Sequence, residues 1–493
     1  MAIRFGTSGW RAVFADEFTF DNVRRLVHCI AGHAKESAEF GFPSKDYRQA
    51  AGAAAAGGVA PTVIIGYDPR FQGEAFAAEA AMVFAADGVR VLLSKGDAPT
   101  PAVAWAILEH KAVGGVMMTA SHNPARYNGV KWSPFWAGPA TPLVTEDIER
   151  RLGVLAPGVP RAMVFDKAVR DGWIAETDLR PGYFKQLRSL LDPKALKNSK
   201  LKIGVDAMSG AARSYLRPFL ESLGLKTFGL REGRDVLFGG VSPEPAPEKL
   251  TELAALMKKE RLDIGLACDG DADRFGVMDA GGVWIQANEV LALALYHLVK
   301  NRQMTGSVAR SLMTSHFVDA LAKSYGLRVR ETPVGFKFIG ELLRGGEFLL
   351  GGEESAGMSI RGHVPEKDGL LAGLLMAELV AFEKRPLVKI REELFKKFGG
   401  FCNSRLNFEL EGPKLTRELN EHLCVKPPTT LAGGSVWRID DSDGYKFILK
   451  DGRWLGLRFS GTESVVRLYA EARDEKGLAG KVEEGKRILK GKL

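Results

Sequence analysis

TVIIGYDPR, residues 62–70, is a β-branched apolar run closed by Asp-Pro, and it reads as a buried strand ending in a loop. The stretch that follows decides the fold. GEAFAAEAAMVFAAD (73–87) is helix-like and stops at Gly88, a residue suited to ending helices, before the strand-like VRVLL (89–93). The same order occurs twice more. LKIGVDAMSG (201–210) precedes AARSYLRPFLESL (211–223), Gly224 and LKTFGL (225–230). SVARSLMTS (307–315) precedes HFVDALAKSY (316–325), Gly326 and LRVRET (327–332). Strands alternating with helices of this length form βαβ units, whose crossovers make parallel neighbours. Three separated copies predict three related α/β domains with mixed, largely parallel sheets.

At 493 residues the chain is too long for one core. ETDLRPGYF (176–184) reads as a linker leading into a helix, and the apolar NEVLALALYHLVKN (288–301) as the helix that opens the third unit. After about Arg391 the strand-like runs shorten (SRLNFEL, SVWRIDD, YKFILK, WLGLRFS, VVRLYAEAR) and end in a Lys/Glu-rich helix, which predicts a smaller α+β domain. The expected division is 1–180, 181–287, 288–392 and 393–493. Residues 43–61 are Gly/Ala-rich and read as a helix end plus loop or as an insertion, without chemistry.

Composition narrows the class. With 45% hydrophobic and 26% charged residues, the chain has the make-up of a soluble globular protein. The net charge of +8, from 68 basic and 60 acidic residues, can serve nucleic acid, a membrane surface or a small anionic substrate. The basic residues are spread along the chain without interleaved aromatics, so they read mainly as solvated helix faces and nucleic-acid binding is not expected. Cys29, Cys268, Cys402 and Cys424 form no C-x-x-C pair, which argues against a disulfide framework or structural zinc and fits a reducing compartment. MAIRFGTSGWR has no apolar signal region, and the small-residue window 51–66 is too short to span a membrane, so a cytoplasmic location is expected. Walker, G-x-G-x-x-G, H-E-x-x-H and G-x-S-x-G motifs are absent, against NTPase, dinucleotide, zincin and α/β-hydrolase readings.

Four stretches carry chemistry. GGVMM (114–118) reads as a buried strand, and TASHNPARYNGVK (119–131) as a loop past its end, shaped by Asn-Pro and Gly129. Ligands bind at such places in open α/β sheets, although Ser121 could equally bond its own backbone. CDGDADRFG (268–276) follows the strand-like LDIGLA and packs Asp269, Asp271 and Asp273 into one loop. Such charges repel unless neutralised by a hard divalent cation or, in a solvated turn, by Arg274. LLGGEESAGMSIRGHVPEKDG (349–369) offers Glu353 and Ser355 to the hydroxyls of a polar ligand, and reads equally as a glycine turn with surface acids. RFSGTES (458–464) is either a hairpin turn or a phosphate cradle, with Arg458, Ser460, Thr462 and the N–H groups around Gly461; Arg467 lies further on. FGTSGWRAVF (5–14) could present Arg11 to a phosphate.

In these stretches the chain resembles the α-D-phosphohexomutase family, over nearly its whole length and with all four motifs in family order. TASHNP with DGDADR is the specific signature, and GEES and R-x-SGTE add to it. The resemblance implies four domains in a heart shape around a central cleft, and an enzyme that moves a phosphoryl group between O1 and O6 of a hexose. It implies Ser121 as phosphoserine, and Asp269, Asp271 and Asp273 as ligands of Mg²⁺ with a phosphoserine oxygen. Arg11, His122 and Lys131 would surround the reacting group, with Lys131 as general acid/base. Arg274 would orient substrate or phosphate, and Glu353 and Ser355 would bind sugar hydroxyls. Gly335 and Phe336, in TPVGFKFIG (332–340), would contact the sugar, with Lys367 of EKDG nearby. Arg458, Ser460, Gly461, Thr462 and Arg467 would hold the non-reacting phosphate. EESxG followed by EKDG is the glucose-type pattern, though Ala356 stands where many such members carry an aromatic and Phe336 where many carry tryptophan. The implied function is phosphoglucomutase, with phosphomannomutase or dual activity as the alternative. Phosphoglucosamine mutase or a non-catalytic sugar-phosphate-binding role stands further off. Hexose 1,6-bisphosphate would be activator and intermediate, a hexose phosphate the partner, and the protein a monomer or dimer.

Overall fold

The computed structural model of the chain describes residues 3–5, 9–40, 60–409, 419–421, 423–431, 434–459 and 465–490. Residues 43–59 of the Gly/Ala-rich run lie outside them.

Each expected strand–helix–strand unit is present, and each is the first half of a larger repeat. The first sheet contains β1 (Trp10–Val13), β2 (Thr62–Tyr67), β3 (Arg90–Ser94), β4 (Gly114–Met118), β5 (Tyr127–Pro134) and β6 (Ile174–Thr177). The helix Gly73–Ala86 carries β2 to β3, and the helix Thr100–Glu109 returns the chain to β4, parallel to β2 on its other side. β5 then folds back antiparallel to β4. The second sheet repeats this with β7 (Lys202–Asp206), β8 (Lys226–Leu230), β9 (Ile264–Cys268) and β10 (Phe275–Asp279), and adds β11 (Val283–Ile285). The third does so with β12 (Ser307–Ser311), β13 (Val329–Thr332), β14 (Phe348–Glu353) and β15 (Gly357–Ile360). The spatial orders β5-β4-β2-β3, β10-β9-β7-β8 and β15-β14-β12-β13 are therefore one topology used three times.

Two local expectations change. The run 176–184 is not a simple linker: Glu176 and Thr177 end β6, which pairs with β3 and buries Ile174, covering an edge that would otherwise be open. The stretch 211–223 is not one helix but a 3₁₀ turn, Ala211–Ser214, followed by the helix Leu216–Ser222. Pro218 has no N–H to bond back to Ser214, so the helix restarts with proline in its first turn.

The C-terminal unit is an antiparallel sheet of β16 (Cys402–Glu409), β17 (Thr430–Leu431), β18 (Gly434–Asp440), β19 (Tyr445–Leu449), β20 (Trp454–Phe459) and β21 (Val465–Ala472), in the order β16-β21-β20-β19-β18-β17. Ile488 and Leu489 of the last helix pack into its own core with Leu455 and Leu468. By contrast, one continuous apolar core joins the first three sheets, from Ile64 and Met117 through Ile203 and Leu266 to Leu350. The helix Gly369–Glu383 runs through that core, and its residues from Gly369 to Ala381 are buried. No helix among the described residues is long and apolar enough to cross a membrane.

Candidate active site

The serine loop joins β4 to β5, the aspartate loop joins β9 to β10, and the Glu353–Ser355 turn joins β14 to β15. All three occupy the same position of the repeat, past the carboxyl end of its third parallel strand, where open α/β sheets bind ligands. The first two loops touch: a Cβ on Gly270 would lie 2.5 Å from the Ser121 carbonyl, so only glycine allows this approach. Ser121 Oγ donates to Asp269 Oδ2 at 2.8 Å and lies 3.3 Å from His122 Nδ1.

Ser121 is held in the left-handed region, at φ 52°. Its N–H donates to Thr119 Oγ1 at 2.7 Å, and that hydroxyl donates to Asp68 Oδ2 at 2.6 Å. Arg70, also buried, pairs with Asp68 at 3.1 Å and donates to the carbonyls of Ser121, Asn123, Pro124 and Tyr127 at 2.7–2.9 Å. Its guanidinium lies over the Phe238 ring of the second unit, 5.0 Å from the centroid. Asp68 and Arg70 stand in the first stretch quoted above, where nothing local marks them as a clamp on a loop about fifty residues away. Arg70→Met takes the cation away from the buried Asp68 and the side-chain donor away from the Ser121, Asn123 and Tyr127 carbonyls, while the Pro124 carbonyl keeps the Tyr127 N–H. It is expected to cost roughly 3–5 kcal/mol, as for breaking a buried ion pair, read by urea unfolding.

Asp269, Asp271 and Asp273 are buried, with carboxylate oxygens within 4.8 Å of one another. Lys131 Nζ donates to Asp271 at 2.5 Å and to Asp273 at 2.9 Å, and Lys367 Nζ lies 3.3 Å from Asp273. Thr100, at the start of a first-unit helix, donates through Oγ1 to Asp271. Asp269 has no such cation: it accepts from Ser121 Oγ and from the Arg274 N–H. Burial, then Asp271 and Asp273, push its carboxyl well above the ordinary range. Asp271 Oδ1 and Asp273 Oδ1 are buried without a hydrogen-bond partner. Clustered hard oxygens, one uncompensated charge and two orphaned acceptors fit a small divalent cation such as Mg²⁺. Burial alone would lower the Lys131 pKa, but Asp271 and Asp273 outweigh it and keep the ammonium charged. Burial, with Arg274 and Arg11 nearby, holds His122 well below its ordinary value, as a neutral imidazole. Arg11 sits in β1 and donates to Asn123 Oδ1 at 2.8 Å; Arg274 NH1 lies 3.3 Å from Glu244.

At the third-unit turn, the Gly335 N–H donates to Glu353 Oε1 at 2.8 Å, and Gly335 takes φ 130°. Phe336 is only 3% exposed, with Lys367 Nζ 5.3 Å from its ring centroid. Ser355 is half-buried in the hairpin turn. Burial, with Glu354 beside it, pushes the Glu353 carboxyl from 4.5 up to about 7. Between those values the unfolded chain is ionised while the native group still holds its proton, so raising the pH through that window costs stability. Glu353→Gln is expected to flatten the fall in unfolding temperature across that window, read by calorimetry at a series of pH values.

Ser460, Gly461 and Thr462 lie outside the described residues. The strands flanking them place Arg458 directly opposite Arg467. Like charges so paired repel, and the buried Arg467 Nε has no hydrogen-bond partner, an arrangement suited to an anion. Arg405 pairs in register with Tyr469, two residues from Arg467, and so shares that face. Its charge is among those that depress His122. Neither Arg405 nor Thr100 carries a motif that would have singled it out in the sequence.

Comparison with known proteins agrees with this geometry. Residues 44–154, 181–282 and 286–398 match the phosphoglucomutase/phosphomannomutase α/β/α domains I, II and III, and residues 406–485 match the C-terminal domain. The phosphoglucomutase of Komagataeibacter xylinus is 28% identical, over 95% of this chain and 87% of its own. The phosphoglucomutase/phosphomannomutase of Thermococcus kodakarensis is 29% identical, over 88% and 91%. A solved structure from Thermus thermophilus, described as a candidate phosphomannomutase, is 32% identical, with full coverage of both chains and a TM-score of 0.83. With its four domains matched in order, the chain belongs to the phosphoglucomutase/phosphomannomutase family.

Proposed function

We propose that the protein is a phosphoglucomutase, interconverting α-D-glucose 1-phosphate and glucose 6-phosphate through a phosphoserine at Ser121 and a hexose 1,6-bisphosphate. The observation that carries the reading is the Ser121 Oγ–Asp269 contact of 2.8 Å, made between two repeats beside the lysine that bridges Asp271 and Asp273. Phosphoryl transfer is mostly positioning and charge stabilisation, and this site supplies both.

In the forward half, a hexose monophosphate hydroxyl attacks phosphorus, the bond to Ser121 Oγ breaks, and the bisphosphate forms. The neutral His122 imidazole accepts the hydroxyl proton, and the Lys131 ammonium supplies one to the departing serine oxygen. After the bisphosphate turns over, the second phosphoryl group returns to Ser121 with these roles reversed. Asp269, Asp271, Asp273 and a phosphoserine oxygen would hold Mg²⁺, which when bound offsets phosphoryl charge as a Lewis acid. Glu353 and Ser355 read hydroxyls, with Gly335, Phe336 and Lys367 beside them. Arg458 and Arg467, with Ser460, Gly461 and Thr462, hold the non-reacting phosphate, while Arg11 and Arg274 face the reacting one. Phosphomannomutase or dual activity is the second reading, favoured by the names of the Thermococcus and Thermus relatives.

The test compares glucose 1-phosphate and mannose 1-phosphate as substrates, with Mg²⁺ and a trace of hexose 1,6-bisphosphate. Faster conversion of the glucose compound to its 6-phosphate is expected. A faster mannose reaction would select the second reading. Steady release of inorganic phosphate would replace the mutase by a phosphatase, and no conversion by Ser121-phosphorylated protein would end the hexose reading.

A further inference from the structure

Asp443 lies on the turn between β18 and β19. Both its carboxylate oxygens sit 3.0 Å from Arg458 Nε, and Oδ2 also accepts the backbone N–H of Val334 at 2.8 Å. Val334 belongs to the loop TPVGFKFIG of the third unit, and its neighbour Gly335 donates its N–H to Glu353. One carboxylate thus joins the arginine at the phosphate end of the site to the loop at its hydroxyl end. The turn is built for this approach: Gly444 takes φ +90°, and a Cβ there would lie 2.5 Å from the Leu457 carbonyl and 3.0 Å from Arg458 Cα. Only glycine allows the turn to lie against β20 beside Arg458.

We infer that Asp443 is a positioning residue that couples the phosphate seat at Arg458 to the placement of the sugar-reading loop. The inference rests on the mutase reading above. A phosphate dianion at Arg458 competes with the carboxylate for the same guanidinium and repels it. The carboxylate also holds the Val334 N–H, so any shift at Arg458 reaches Gly335 and Glu353. A ligand that offers a phosphate at one end and hydroxyls at the other is therefore read as a unit.

The test is a double-mutant cycle on the full-length protein. Arg458→Lys and Glu353→Gln are made singly and together, with Asp443 intact and with Asp443→Asn. Affinity for glucose 6-phosphate is measured by calorimetry, and kcat and KM are measured alongside. With Asp443 intact, the loss in the double variant should differ from the product of the single losses by about tenfold, as for residues in one network. With Asp443→Asn the losses should multiply independently, at an unchanged unfolding temperature. The same departure from independence in both backgrounds, or none in either, overturns the inference. Should Asp443→Asn fold poorly, Asp443→Ser keeps an acceptor on the turn while giving up the pair with Arg458, and the same outcomes decide. Failure of the unsubstituted protein to bind glucose 6-phosphate would instead count against the mutase reading, and the inference would fall with it.

Discussion

Ser121→Ala should lower kcat/KM for hexose phosphate interconversion on the order of 10⁴–10⁶-fold, the scale on which removing a nucleophile that acts with its neighbours is felt. The size follows from the surroundings. Ser121 Oγ is the hydroxyl that meets both Asp269 and His122. Lys131 pairs with two carboxylates and rests as an ammonium, so the resting site offers no free amine to take the serine's place. The loop itself should survive. Its shape depends on the Ser121 N–H bonded to Thr119 and on carbonyls held by Arg70, none of which involves the hydroxyl. Two measurements separate these effects: initial rates, and transfer of labelled phosphoryl from a hexose 1,6-bisphosphate to the protein. An unchanged unfolding profile with both transfer and turnover lost is the expected pattern. Labelling of the alanine variant at another residue would move the nucleophile elsewhere.

Much of this site was legible in the sequence because its chemistry sits in short, contiguous loops. Three aspartates within five residues announce a charge problem whatever the fold, and TASHNP marks a turn after a buried run. The repeated strand–helix–strand pattern was legible for the same reason, since periodicity is local. The second half of each repeat was harder to see. β4, β9 and β14 are short apolar runs that join β2, β7 and β12 only through non-local pairing. That pairing places the three candidate-site turns at equivalent positions. The supporting residues were hidden by the same logic. Asp68, Arg70, Thr100 and Asp443 look ordinary in sequence, and each owes its role to at least one partner 51 to 171 positions away. The division of the aspartates was also illegible. In sequence they are equivalent, whereas the fold gives lysines to Asp271 and Asp273 and leaves Asp269 without one.

That asymmetry makes Asp269→Asn the sharper probe of the candidate metal centre. The substitution removes the one carboxylate of the triad without a cationic side-chain contact, and with it the repulsion from Asp271 and Asp273. Asparagine keeps the shape and an acceptor for the Arg274 N–H, which now reaches Asp269 Oδ1 at 3.0 Å. Metal-free Asp269→Asn protein should therefore unfold at a higher temperature than the metal-free parent, because like charges confined in a buried loop cost more than a neutral amide. Adding Mg²⁺ should reverse the order. The parent gains stability from a ligand that binds only the native state, whereas the variant has lost a charged donor and gains less. Turnover should fall by at least about 10²–10³-fold, the usual loss when one electrostatic partner of a transition state is removed. Scanning calorimetry with chelator and then with Mg²⁺ reads the crossing directly and does not depend on activity. A variant less stable than the parent under both conditions would mean that a partner other than a metal already stabilises the Asp269 carboxylate in the native protein.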